Sequence, residues 1–163
     1  MLALLGAVTL CVYGVLAAMS ADLLWFRGGA VVPDPTRLVI RVDGQESVLT
    51  PDSEGYGTMV EAVREALARF DNLAPLTAGI SDKALAEYRH KGIILEIYFD
   101  EAVNFRLPFD DGNPTALLFP IEGPLGGRGY LFRGKGDRWW SGQMVMSDPQ
   151  PLLDALSTLG YVR

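Results

Sequence analysis

Cysteine and histidine occur once each in the 163 residues, as Cys11 and His90. One cysteine excludes an intrachain disulfide and a cysteine-built zinc site, and one histidine excludes any metal site needing two imidazoles from this chain. Charge is missing from residues 1–21, so all 14 Lys and Arg and all 20 Asp and Glu lie from Asp22 onward, with a net charge of −6. An acidic body repels nucleic-acid phosphates and anionic lipid. The chain also lacks a Gly-Lys-Ser/Thr phosphate loop, an internal repeat and a low-complexity tract.

The first segment, MLALLGAVTLCVYGVLAAMSA followed by DLLWF, is apolar enough to predict a transmembrane helix over residues 1–26. Its seven Leu and three Val between Leu2 and Leu24 favour insertion by roughly 3 to 6 kcal/mol, and Trp25 and Phe26 fall where an interfacial aromatic belt would stand. A single-pass signal-anchor is favoured over a cleaved signal peptide, because a basic leader is missing and the apolar run is long. A lipoprotein signal at Val8–Cys11 fails on Leu10. Residues 27–36, with Gly28-Gly29 and Pro33-x-Pro35, read as a linker, and residues 37–163 as one domain. The expected localisation is the cell membrane with the domain extracytoplasmic, the lipid bilayer being a partner through residues 1–26. This layout resembles that of many bacterial envelope proteins, a likeness of architecture alone.

Within the domain, Asp43-Gly44 predicts a two-residue hairpin turn between strands in Arg37–Leu49. Residues 57–70 show helical periodicity at Met59, Val63, Ala66 and Phe70, with a capping box from Thr58 to Glu61 and a surface pair between Glu65 and Arg69. Ser81 to Gly92 predicts a shorter helix whose end carries Arg89, His90 and Lys91. Two alternating runs, Ile93–Phe99 and Val103–Phe109, predict an antiparallel hairpin. TALLFPI adds a strand, and residues 147–160 a last helix with Asp148 as cap, Pro149 at the first helical position and Gly160 as stop. Grouped strands and helices predict an α+β fold, a mostly antiparallel sheet of six or seven strands packed with about three helices.

The segment 127-GRGYLFRGKGDRWW-140 packs four basic residues, four glycines and four aromatics into fourteen positions. Arg128-Gly129-Tyr130-x-Phe132 partly resembles the ribonucleoprotein motif of RNA-recognition domains, but Leu131 stands where that motif has Gly or Ala and the acidic charge is wrong. A β-hairpin explains every residue of it. Its candidate interaction surface is Arg128, Tyr130, Phe132, Arg138, Trp139 and Trp140, since Trp, Tyr and Arg dominate interface energetics. FDDGNP spaces its glycine wrongly for a calcium loop. No catalytic, cofactor-binding or metal-ligating residue is assigned and no cofactor is expected. The functional expectation is a membrane-anchored, non-catalytic domain that binds a protein partner or senses a ligand. The alternatives are an envelope hydrolase with convergent carboxylates around Glu96 and Asp100, and a structural subunit of a membrane complex.

Overall fold

A computed structural model describes residues 1–20, 30–70, 79–107 and 112–162. Helix α1 (Leu2–Ser20) comes first, then β1 (Pro35–Val42), β2 (Gln45–Leu49), α2 (Tyr56–Ala66), α3 (Asp82–His90) and β3 (Ile93–Phe99). After these come β4 (Ala116–Glu122), β5 (Tyr130–Lys135), β6 (Arg138–Trp139), β7 (Met144–Val145) and α4 (Gln150–Thr158). The seven strands form one antiparallel sheet in the order β2-β1-β3-β4-β5-β6, with β7 on the remaining stretch of β5. The α+β class therefore stands, with four helices among the described residues.

The transmembrane expectation is corrected. Among the described residues no helix is long and apolar enough to cross a membrane. Helix α1 is described over Leu2–Ser20, 19 residues. The residues expected to finish the span, Asp22 and the Trp25-Phe26 pair, lie outside the described residues. One side of α1 is also covered, with Ala17 buried and Tyr13 and Leu16 half-buried at helical spacing. The signal-anchor, the bilayer as partner and the extracytoplasmic placement depended on that span and fall with it.

Asp43 and Gly44 both adopt positive φ, 48° and 87°, the backbone a tight two-residue hairpin needs. The turn sets the register of β1 on β2, from Val42 opposite Gln45 to Leu38 opposite Leu49. Alternation along the strands then sorts side chains between two faces. Leu38, Ile40, Leu95, Ile97, Leu117, Phe119 and Leu131 enter one large core with Met59, Val63 and Leu67 and with Leu152 and Leu156 of α4. Burying each such side chain is worth about 1.5–3 kcal/mol. The opposite face carries Val39, Tyr98 and Ala116 in one cluster and Leu118 and Phe132 in another, the latter packed on Leu85 of α3.

Three local expectations change. Ile93–Phe99 pairs with Ala116–Glu122 rather than with Val103–Phe109. Arg106 turns to a φ of 50°, Asn104 bridges Val31 instead, and Phe99 and Val103 donate their N–H groups to Thr115 and Pro114. The alternation there still marked burial, because Val103, Phe105 and Leu107 all enter the core. Helix α2 begins at Tyr56 behind a left-handed Gly55 and has no side-chain cap, so the Thr58 capping box is not formed. Arg69 lies beyond the end of α2, and the ion pairs instead join Arg64 to Glu61 at 2.8 Å and to Asp34. By contrast, Ser81 caps α3 by accepting the Ala84 N–H, and Asp148 accepts the Gln150 N–H at the start of α4.

Candidate functional site

Helix α3 lies over the second face of the sheet and leaves a cavity on each side. Its residues sort by helical spacing. Asp82, Ala86 and Arg89, at i, i+4 and i+7, form one stripe, while Leu85 and Tyr88 point into the protein. The β1–β2 turn is fastened beside the helix end. The Asp43 carboxylate accepts the Gly92 N–H at 3.0 Å, and the Asp43 N–H donates to the Gly92 carbonyl at 3.0 Å.

Beneath the Asp82–Ala86–Arg89 stripe the sheet contributes a charged network. Glu96, in the middle of β3, is 1% exposed. Its Oε1 accepts from Arg89 Nε at 3.1 Å and Nη2 at 3.0 Å, and its Oε2 accepts from the Tyr98 hydroxyl at 2.9 Å. Arg41 Nη2 stands 3.9 Å from Oε2, while Arg41 Nη1 pairs with the half-exposed Glu46. Arg41 Nε is buried without a hydrogen-bond partner. The Arg37 guanidinium stacks on the Tyr98 ring at 4.1 Å. A buried carboxylate is tolerated only when its lone pairs are taken up by donors, and these arginines and the phenol do that.

Burial, and after it the neighbouring Glu96 carboxylate, raises the Tyr98 phenol above its ordinary 10.0. A phenol whose folded value exceeds its unfolded value adds stability that is complete below about pH 10 and is lost as the pH rises further. Tyr56 and Tyr88 are raised in the same direction, each first by burial. Urea unfolding from neutral pH upward should therefore show stability falling in alkali, and Tyr98→Phe should make that fall shallower. An equally steep fall in the variant would assign it to other groups.

The cavity over this network has a volume of about 570 Å³, with Arg41, Arg89 and His90 at one end and Asp82 and Asp137 on its wall. The second cavity, about 550 Å³, lies across α3 between Tyr88, Leu125 and the exposed Glu87, Lys91 and Glu122. There the Tyr88 hydroxyl accepts the Leu125 N–H, which pins the β4–β5 connection onto the helix. The first cavity holds the richer chemistry.

The hairpin residues are distributed differently from a flat exposed patch. Phe132 is fully buried. Trp139 is half-buried, and its ring packs on both clusters of the second face. Trp140 covers Gly112, where a Cβ would come within 2.8 Å of its ring, and Tyr130 is half-buried. Arg128 and Arg138 alone are fully on the surface. The carboxylate-pair hydrolase is corrected. Glu96 and Asp100 are four residues apart along one chain direction, about 13 Å, beyond the roughly 5–9.5 Å such chemistry needs. Glu96 is also sealed while Asp100 is exposed. Among the described residues no cluster of His, Cys, Asp and Glu could hold a metal ion.

In the sequence Arg89 and His90 are the cationic end of a helix, with nothing to bring Arg41 to them. The sequence signal is partial: Arg41 and Glu96 each interrupt an apolar strand, and the register of β1 on β3 places them on the same face. No protein-family model matches the chain, and neither a curated protein nor a solved structure does.

Proposed function

We propose that this domain binds a small carboxylate-bearing ligand in the cavity between α3 and the β1–β2 turn. The observation that carries the reading is the sharing of one buried carboxylate, Glu96, between two guanidiniums, Arg41 and Arg89. At this end two guanidiniums share one buried carboxylate, and the second negative charge comes only from a carboxylate at the surface. Glu46, the other partner of Arg41, is half-exposed, and such a surface pair is worth only about 0–1 kcal/mol, so a ligand can displace it. Arg41 and Arg89 both line the cavity, and guanidinium geometry suits carboxylate. The ordered network beneath keeps the arginines in place before the ligand arrives, which lowers the entropic cost of binding.

The reading replaces a membrane-held module with a pocket-based one, and assigns no reaction. Its test is a titration of the chain with caproate, followed by amide and guanidinium chemical shifts. Saturable shifts at Gly44, His90 and Arg41 Nε are expected, and Ala86→Trp, an exposed position on the cavity wall, should abolish them with the fold intact. The absence of saturable shifts at about 10 mM caproate would overturn the reading, since that is about ten times the dissociation constant of a 4 kcal/mol complex.

A further inference from the structure

The cavity is electrically two-ended. Asp82 opens α3 and Arg89 lies seven residues on, on the same face of the helix, a separation of about 10 Å along the axis. The sheet repeats the polarity. Arg41 stands opposite Ile94, whereas the row of Tyr98, Ala116, Gly134 and Trp139 is about 13 Å further along the strand direction, with Asp137 beyond it in the turn between β5 and β6. Ala86, halfway along the helix stripe, leaves open the space between the ends. Both acids are exposed and line the cavity. The dipole of α3 runs the other way, but its half-charges are smaller than the full charges at either end.

We infer that the ligand is a zwitterion with its charges at opposite ends of an extended body, its carboxylate on Arg41 and Arg89 and its ammonium between Asp82 and Asp137. The inference rests on the anion-binding reading above and narrows the ligand to the class of ω-amino acids. An α-amino acid, whose charges are adjacent, cannot reach both ends. The short apolar wall at Leu85 and Ala86 suits a methylene chain between them.

The experiment compares caproate, hexylamine, glycine, γ-aminobutyrate and ε-aminocaproate by the same chemical-shift titration, on the full chain and on the Asp82→Asn/Asp137→Asn double variant. ε-Aminocaproate should bind about three- to tenfold more tightly than caproate, the gain two exposed carboxylates can supply, and γ-aminobutyrate should fall between. The double variant should remove that advantage while leaving caproate at least as tight, and added salt should shrink it. Equal affinity for caproate and ε-aminocaproate would overturn the zwitterion and leave the anion site standing. Glycine binding as tightly as ε-aminocaproate would overturn the two-ended geometry. Binding of hexylamine without caproate would overturn both readings, and so would silence from all five probes.

Discussion

Glu96→Ala is expected to destabilise the domain by about 3–5 kcal/mol, the loss found when one member of a buried ion pair is deleted and its partners stay. The variant leaves Arg89 Nε and Nη2 and the Tyr98 hydroxyl without their acceptor. It also leaves the Arg41 and Arg89 charges repelling one another across the floor. The penalty comes from the phenol left without its acceptor and from two guanidiniums with only partial solvent contact, their side chains 22% and 33% exposed. Urea denaturation with Glu96→Ala, Glu96→Gln and Glu96→Leu separates the contributions. The glutamine variant keeps an acceptor and should lose least. A loss below about 1 kcal/mol for the alanine variant would show that the network is open to water and would remove the preorganised floor from the binding argument.

Phe132→Ala comes next, with an expected loss of about 3–5 kcal/mol from transfer and cavity terms together. Phe132 is wholly buried between Leu85 of α3 and Leu118 of β4, so its removal loosens the helix that forms the cavity wall. Stability by urea and caproate affinity should fall together, because the wall is positioned by the same contact. Arg138→Ala, on the exposed end of the same hairpin, should leave both within experimental scatter. A Phe132→Ala variant as stable as the parent would mean that the β5–β6 hairpin is peripheral to the second face.

Most of the sheet could be read from residue pattern because its signals are local. Asp43-Gly44 demanded a left-handed pair, Ser81 offered a cap, and alternation in β3 marked its faces. Two readings failed where the deciding partner was remote. The alternation at Val103, Phe105 and Leu107 reports burial correctly, yet β3 takes Ala116–Glu122 as neighbour, and no pattern within the segment records that choice. The N-terminal run is read as a span from its transfer free energy, its length and the Trp25-Phe26 pair, while among the described residues no helix is long and apolar enough to cross a membrane. For the site, composition argued against catalysis through missing residue types. Assembling Arg41, Arg89 and Glu96 required the register that places Ile40 opposite Leu95 and Val39 opposite Glu96, a fact of pairing rather than of sequence.

The connection between β3 and β4 carries a practical lesson for anyone altering this chain. Its length invites epitope tags or circular permutation, since long links usually accept them. Here Val103, Phe105 and Leu107 plug the main core, and new termini would have to be cut through load inside the protein. The exposed Gly136-Asp137 turn between β5 and β6 offers a surface position for an insertion that leaves that core plug in place.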